Sequence, residues 1–288
     1  MRVAISGVHG KLGRELLRTA PPGVEAVGLD RGSLDLASPE SIEAAVRSCG
    51  SRFLVNAAAF TAVDQAESEP DLARRINSVG AGMLAAACRR RGTRLVHVST
   101  DYVFGGQASR PNRPDDHAQP TTVYGWTKLE GEHGILRECG DEALIVRSAW
   151  FIASHGTNFL RTMLRLMREQ GTVRVVTDQI GTPTSVRHLA IALWDLIRLG
   201  ATGVHHWTDA GVASWYDLAE AVRRLGQTRG LVPSNARVVP ISTLEYPTPA
   251  RRPAYSVLDK SSTWSILGRT SRHWLDTLDE ILAECAHA

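Results

Sequence analysis

The stretch RVAISGVHGKLGRELL, residues 2–17, decides the fold. Its first residues are apolar or small and predict a buried strand, and the residues after the last glycine predict a helix. Glycines between a strand and a helix let backbone amides at the helix N-terminus approach a pyrophosphate. This order therefore predicts a dinucleotide-binding βα unit. The cofactor contacts expected from it are Gly7, Gly10, Lys11, Leu12 and Gly13.

Short apolar runs alternate with helical patterns along the first half of the chain. The predicted strands cover residues 3–6, 24–30, 53–59, 95–100 and 143–150, and the predicted helices cover 11–20, 39–48, 69–91 and 122–138. Buried strands separated by helices imply a parallel sheet with right-handed crossovers. We therefore predict an α/β protein: a Rossmann doubly wound parallel sheet of about seven strands with a smaller C-terminal α/β substrate-binding domain.

The alternation loosens after residue 150, where helices at 157–169, 186–199, 214–226 and 272–285 and strands at 173–177 and 203–208 are predicted. We expect an NAD(P)-binding Rossmann domain at 1–150, to which segments at about 185–210 cross back. The substrate-binding domain is then predicted at 151–184 and 211–288.

Composition narrows the class of protein. The 288 residues are 43% hydrophobic and 22% charged, with a net charge of +3, which is typical of a soluble globular protein and far from a nucleic-acid-binding one. The N-terminus MRVAISG lacks the pattern of a signal peptide, no apolar run is long enough to span a membrane, and the cysteines form no CxxC pair. We expect a cytoplasmic monomer or homodimer with no nucleic-acid or membrane partner. Adjacent His205 and His206 point to opposite faces of a predicted strand, so the pair is not expected to form one metal site. No catalytic metal is expected, because the hydride transfer inferred below, with tyrosine as the acid, needs none.

Two neighbouring residues give opposite indications about the cofactor. Asp30, at the end of the second strand, suits the ribose hydroxyls of NAD, whereas Arg31 suits the 2′-phosphate of NADP. We favour NADPH, with NADH also accepted. Further predicted cofactor contacts are Asp35, Leu36, Ala57, Ala58 and Ala59, together with Tyr124 and Lys128.

The motif VYGWTKLEG, residues 123–131, places Tyr124 and Lys128 four residues apart on one helical face. Hydride addition to a ketone leaves an alkoxide that needs a proton, and a free tyrosine, with a pKa of ~10, is a poor donor at neutral pH. A nearby ammonium is expected to lower that pKa. Thr100 ends the fourth strand at the same sheet edge. We therefore predict Thr100, Tyr124 and Lys128 as the catalytic residues of a ketone reductase.

Several longer blocks make a resemblance specific. They are NAAAFTAVDQAESEPDLARRIN (56–77), STDYVF (99–104), VYGWTKLEGE (123–132), RSAWF (147–151), HGTNF (155–159), VVTDQIGTPTSVRHLA (175–190) and RPAYSVLDKS (252–261). The chain resembles the dTDP-4-dehydrorhamnose reductase family of extended short-chain dehydrogenases/reductases. The resemblance implies reduction of the 4-keto group of a dTDP-4-keto-6-deoxyhexose, with dTDP-4-dehydro-L-rhamnose as the first candidate.

The resemblance also implies substrate-side residues, namely Asn77, Asp101, Tyr102, Phe104 and Trp150. A sugar nucleotide carries a diphosphate, and arginine matches phosphate oxygens in fork geometry. Arg252, in a stiff proline-flanked segment, is therefore predicted to bind the substrate. Other candidates from the C-terminal half are Arg187, Arg251, Lys260 and Trp215.

Two alternatives stay open. The chain has Gly105-Gly106 where the family usually has Asp-Gly, and Ala153 and Tyr255 also depart from its pattern, which is compatible with a 4-ketoreductase for another dTDP-deoxysugar. A non-enzymatic NADP-binding regulatory subunit of the same fold, like the β subunit of methionine adenosyltransferase, would share these motifs. A sugar-nucleotide dehydratase is disfavoured, because Asp101-Tyr102 lacks the second carboxylate that elimination needs.

Overall fold

The computed structural model describes residues 1–286. Its first half contains β1 (Arg2–Ser6), α1 (Lys11–Arg18), β2 (Glu25–Leu29), α2 (Pro39–Cys49), β3 (Phe53–Asn56), α3 (Val63–Ser68), α4 (Pro70–Arg74), a π-helical segment (Arg75–Gly80), α5 (Ala81–Arg90), β4 (Arg94–Thr100), α6 (Val123–Cys139) and β5 (Leu144–Ser148). The second half contains β6 (Phe151–Ile152), α7 (Phe159–Gln170), β7 (Thr172–Val176), β8 (Ile180–Gly181), β9 (Thr184–Ser185), α8 (Val186–Leu199), β10 (Gly203–His206), β11 (Ala213–Ser214), α9 (Trp215–Thr228), β12 (Arg237–Ile241), α10 (Ser261–Leu267) and α11 (Trp274–Ala286).

Within residues 1–286, the main sheet has six strands in the order β2-β1-β3-β4-β5-β10, and every neighbouring pair is parallel. The carboxyl ends of parallel strands meet at one edge, which is where open α/β sheets bind ligands. The expected count of about seven was too high. After β10 the chain leaves the sheet, and β11 and β12 pair with β8 and β7 instead.

Alternating strand residues build a hydrophobic core on each face of the sheet. On one side, Val3 and Ile5 of β1 pack in a cluster with Leu16 of α1 and Leu193 of α8. On the other side, Ala4 belongs to the cluster built by α2, α5 and α6. Full burial of one such aliphatic side chain contributes roughly 1.5–3 kcal/mol. Helices on both faces confirm the predicted doubly wound architecture.

A third cluster lies apart from the sheet, where α7, α9 and α11 pack around the parallel pair β7 and β12. Residues 250–260, the C-terminal strap, connect this region to the rest. The strap exchanges backbone hydrogen bonds with Ile180 and with Asn112, for example from Ser256 N to Ile180 O at 2.8 Å and from Asn112 N to Val257 O at 2.8 Å. The strap thereby ties the C-terminal half to the loop that follows β4.

Two predicted elements differ from the structure. The helix expected at 69–91 is divided into α4, the π-helical segment and α5. Gly131 of α6 packs against the widened turn, where a Cβ on it would lie 2.2 Å from Asn77 O. The strand expected at 53–59 stops at Asn56, whose side chain accepts a hydrogen bond from the Ala58 amide at 3.2 Å and turns the chain.

Candidate active site

The chain between β1 and α1 is so tightly folded that Gly7 and Gly13 have no room for a side chain. Gly7 has φ +68°, and a Cβ on it would lie 2.9 Å from Ala58 Cα, while a Cβ on Gly13 would lie 2.3 Å from Gly7 O. Among the described residues, no side chain caps the N-terminus of α1 at Gly10. Its free amides suit a phosphate, and Lys11 adds a cation. The residues present therefore fit the pyrophosphate of a dinucleotide.

A cleft of about 580 Å³ opens beside this loop, between the carboxyl edge of the sheet and the C-terminal half. Predicted site residues that line it are Gly7, Gly10, Lys11, Leu12, Ala57, Ala58, Ala59, Thr100, Tyr102, Tyr124, Lys128, Trp150 and Arg252. The fold thus brings together the glycine loop, the end of β4, the start of α6 and the strap. These elements are far apart in sequence.

The residues predicted to contact the adenosine part of the cofactor do not line the cleft. Asp30 is beside the glycine loop, with Oδ2 4.0 Å from His9 Nε2, and its Oδ1 accepts hydrogen bonds from the hydroxyl and the amide of Ser33 at 2.8 and 2.9 Å. These two bonds lower the pKa of Asp30. The Arg31 side chain is 78% exposed, with Nε 3.6 Å from Asp35 Oδ2. Leu36 is buried in the core.

Three predicted substrate residues also do not line the cleft and lie behind the residues that do. Asn77 clamps the loop after β3, because its side chain accepts from Phe60 N at 2.8 Å and donates to Phe60 O at 3.0 Å. Phe104 is buried edge-on against His206. Asp101 accepts from Thr100 Oγ1 at 3.0 Å, and its Oδ2 has no hydrogen-bond partner among residues 1–286. Burial raises the pKa of Asp101 to about 6.

Tyr124 enters the cleft from the first turn of α6, whose N-terminus is capped by Thr122. A Cβ at Gly125 would lie 2.2 Å from Tyr102 O, so glycine there lets α6 lie directly against the end of β4. The ring of Tyr102 is edge-on to that of Tyr124, with centroids 5.6 Å apart. Burial raises the pKa of Tyr124, and the nearby Thr100 hydroxyl acts in the opposite direction. The expectation that Lys128 lowers this pKa was therefore wrong for the structure described.

Lys128 is bound to the sheet rather than to the tyrosine. Its Nζ donates to the backbone oxygen of Val98 at 2.8 Å and lies 2.9 Å from His97 Nε2. Burial lowers the pKa of Lys128 to about 8, against the raising influence of Glu132. His97 was missed from the sequence, where a histidine inside an apolar strand looks like an ordinary core residue.

Aromatic rings and one arginine form the C-terminal side of the cleft. Trp150 has φ +45° and stacks on Trp215, with centroids 3.6 Å and planes 4° apart. Arg252 Nη1 donates to Tyr102 Oη at 3.1 Å, and its Nη2 is 2.7 Å from Asp64 Oδ2. The other proposed cations lie elsewhere: Arg187 pairs with Glu284, Lys260 lies over the Trp264 ring, and Arg251 is exposed.

Some lining residues were not predicted, namely Thr61, Val63, Val98, Ser99, Ser148, Ala149, Phe151 and Asn158. Asn158 caps α7 and holds the preceding loop by donating to Ala153 O at 3.0 Å. The only signal for it was its place in the block HGTNF. The remainder are small or apolar residues at or near strand ends or, for Thr61 and Val63, where α3 begins, and no single-residue chemistry distinguishes them.

No helix within residues 1–286 is long and apolar enough to cross a membrane. In the same part of the chain, no three His, Cys, Asp or Glu side chains are grouped so that they could hold a metal ion.

Comparisons with known proteins agree on one family. A family model described as RmlD substrate binding domain matches residues 1–287. A dTDP-4-dehydrorhamnose reductase of Streptomyces griseus is 42% identical over 97% of this chain and 92% of its own length. A dTDP-4-keto-6-deoxy-D-glucose reductase of Streptomyces niveus is 40% identical, over 97% and 96%. The crystal structure of a Bacillus anthracis dTDP-4-dehydrorhamnose reductase in complex with NADP is similar with a TM-score of 0.91 and 32% identity, covering 98% of this chain and 99% of that one.

Proposed function

The chain belongs to the RmlD family of dTDP-4-dehydrorhamnose reductases, and on that premise we propose that it reduces the 4-keto group of a dTDP-4-keto-6-deoxyhexose with NADPH. The observation that carries this proposal is the meeting of Thr100, Tyr124 and Lys128 in the same cleft as the glycine loop. A ketone in that cleft would have a proton donor beside it. The first candidate substrate is dTDP-4-dehydro-L-rhamnose, which would give dTDP-L-rhamnose.

In the proposed mechanism the chain orients the ketone and supplies its proton. When bound, the reduced nicotinamide supplies the hydride for the C4 carbonyl carbon. When the ketone binds, the Thr100 hydroxyl would turn its single proton from Asp101 to the carbonyl oxygen and so fix the position of that oxygen. The Tyr124 phenol gives its proton to that oxygen as negative charge develops there. Burial raises the pKa of Tyr124, so the phenol is protonated at neutral pH and gives its proton up only to a stronger base, here the alkoxide that hydride addition creates.

Cofactor binding is assigned to the N-terminal edge of the cleft. The free amides of α1 and the Lys11 side chain hold the pyrophosphate, and the small Ala57, Ala58 and Ala59 leave room for the dinucleotide across the sheet. NADPH is the cofactor of this proposal, since the Bacillus anthracis relative was crystallised with NADP. Exposed Arg31 is the candidate for contact with the 2′-phosphate, and Asp30 and Asp35 flank it.

Substrate binding is assigned to the other side of the cleft. Arg252 is proposed to meet the diphosphate, and Trp150, Trp215 and Tyr102 to meet the sugar or the base. The proposed division has the Rossmann domain at 1–150, joined by about 185–210, and the sugar-nucleotide domain at 151–184 and 211–288. Packing of α8 on α1 and pairing of β10 with β5 support it.

A second candidate is a 4-ketoreductase that acts on the D-glucose-derived sugar, and the relative from Streptomyces niveus favours it. The purified protein should be incubated with NADPH and either dTDP-4-keto-6-deoxy-D-glucose or its 3,5-epimerised L-hexulose. The configuration at C4 of the product is then assigned by NMR. Reduction of the L-hexulose to the rhamnose configuration supports the first candidate. Reduction of the D-sugar alone replaces it with the second, and no NADPH oxidation with either sugar rejects the ketoreductase.

The same assay distinguishes the ketoreductase from the regulatory subunit, which would bind NADPH without turnover. Two further expectations stay predictions: a cytoplasmic location, and a monomer or homodimer, which light scattering of the purified protein would measure.

A further inference from the structure

Four buried polar side chains form a line beneath the cleft, each at most 1% exposed. Ser6 Oγ donates to Asn56 Oδ1 at 2.7 Å, Asn56 Nδ2 lies 3.1 Å from His97 Nδ1, and His97 Nε2 lies 2.9 Å from Lys128 Nζ. The four residues come from β1, β3, β4 and α6. Since three of these are neighbouring strands of one sheet, strand register fixes the spacing.

The backbone determines which way the Asn56 amide faces. The Ala58 N–H can only donate, and it donates to Asn56 Oδ1 at 3.2 Å. With the amide turned over, its NH₂ group would meet that N–H, donor against donor. Asn56 therefore presents its NH₂ to His97, and His97 Nδ1 must accept. The ring proton of the neutral histidine is then on Nε2.

This tautomer has a consequence for Lys128, because the Nε2–H points at Nζ. A charged ammonium offers only donors, whereas an uncharged amine has a lone pair that accepts from Nε2–H and still donates to Val98 O. The hydrogen-bond pattern thus favours the uncharged amine. Burial acts in the same direction, lowering the pKa of Lys128 to about 8 and keeping the pKa of His97 well below its ordinary value.

Other titratable and polar groups lie around Lys128, and most of them have partners of their own. Glu132, one turn along α6, is the group that favours the ammonium, but it is itself paired with Arg147 of β5 at 2.7 Å. Tyr124 lies one turn back on the same helix. Asp101, after β4, bonds to Thr100. From the segment before α5, Asn77 contributes an uncharged amide that bonds to Thr127.

We propose that His97 is a positioning residue: Asn56 and Ser6 hold it as the Nε2–H tautomer, and it thereby destabilises the ammonium form of Lys128 so that this lysine exchanges its proton during turnover. The proposal rests on the proposed reductase activity. After Tyr124 gives a proton to the product oxygen, the Lys128 ammonium returns one to the phenolate through water in the cleft, since the two groups are not in direct contact, and the resulting amine takes its replacement from solvent. His97 itself neither gains nor loses a proton.

The tautomer can be measured without turnover. Protein labelled with ¹⁵N-histidine should show His97 with a bare Nδ1 and a protonated Nε2. Asn56→Asp should reverse this, because a carboxylate only accepts and calls for an Nδ1–H. A wild-type His97 protonated on Nδ1, or a tautomer unchanged in Asn56→Asp, would overturn the proposal.

A second measurement is the pH profile of kcat for reduction. Activity should fall as Lys128 loses its proton, and both His97→Gln and Asn56→Asp should move this alkaline limb upward by about one pH unit, since either change favours the ammonium. The matched control is His205→Gln, the same substitution at a buried histidine on the sheet edge whose Nε2 bonds to Thr202 O. The alkaline limb of the pH profile of His205→Gln should lie at the same pH as in the wild type. Alkaline limbs of all three variants that coincide with the wild type would reject the role of His97. Inactive wild type would instead reject the reductase, leaving the tautomer measurement to judge His97.

Discussion

The two ends of the cleft are built differently. At the chemical end, Thr100 and Lys128 are almost inaccessible, and the Thr100 hydroxyl and Lys128 Nζ each have a fixed neighbour. At the proposed adenosine end, Arg31 and Asp30 lie on the surface, where they bond to residues close in sequence. Water can replace a lost contact at the exposed end but not at the buried one. Substitutions should therefore be costly at the chemical end and mild at the other.

The largest effect is expected for Tyr124→Phe, which removes only the phenol oxygen. Loss of a general acid typically costs ~10²–10⁴-fold, so kcat for the 4-keto sugar should fall by that factor. The dissociation constant for NADPH, measured by fluorescence, should stay close to the wild-type value. A decrease in kcat of less than tenfold would contradict the role of Tyr124 as proton donor. The chemical end of the cleft would then be no more sensitive to substitution than the adenosine end.

The next effect concerns stability and Asp101. Its pKa is raised to about 6 in the folded state, so the folded protein binds a proton that the unfolded chain releases near pH 4. The free energy of unfolding should therefore fall as pH rises from about 4 to 6, by about 3 kcal/mol from this group alone. In Asp101→Asn this decrease in the free energy of unfolding should be absent. Denaturant unfolding of both proteins at pH 4.5 and 7.5 measures the difference, and parallel pH dependences would show that Asp101 is ionised without penalty.

An intermediate effect is expected at the strap. Arg252→Lys keeps the charge but loses the fork that reaches Tyr102 and Asp64, so KM for the sugar nucleotide should rise about tenfold. Arg251→Lys, at the exposed neighbouring position, is the control and should leave KM unchanged. If the two variants behave alike, the diphosphate does not meet Arg252. NADPH binding should be unaffected in either case.

The smallest effect is expected for Arg31→Ala. An exposed ion pair is worth ~0.2–1 kcal/mol, so the dissociation constant for NADPH should rise by only a few-fold. The constant for NADH should not change, because NADH lacks the 2′-phosphate. Arg14→Ala, at an exposed position on α1, serves as the control. Equal losses for NADPH and NADH would contradict the assignment of Arg31.

The sequence predicted those parts of the site that local patterns determine. The glycine loop follows from a strand, a turn and a helix in succession, and the common face of Tyr124 and Lys128 follows from helical spacing. Thr100 was likewise expected in the cleft, because it is the last residue of β4 and so lies at the carboxyl edge of the sheet. These inferences need no knowledge of how strands pair.

The parts that depend on register and on side-chain direction were not predictable. The contact of Asn56 with His97 exists because β3 and β4 pair with these two residues opposite each other. Lys128 contacts His97 and the backbone oxygen of Val98 in the sheet, whereas spacing alone indicated an ammonium next to Tyr124. Asn77 and Phe104, both expected at the substrate, are instead behind the cleft wall, since a motif does not tell which face of its backbone a side chain takes.

The strap has a consequence for the order in which the site is completed during synthesis. All six strands of the sheet have been synthesised once His206 has been added, and the glycine loop and Tyr124 precede it in the chain. Arg252 is made much later, and the strap must then join Asn112, whose side chain donates to Val257 O across 145 positions of sequence. Contacts over such separations form slowly. A nascent chain would thus acquire the cofactor side of its cleft well before the sugar-nucleotide side.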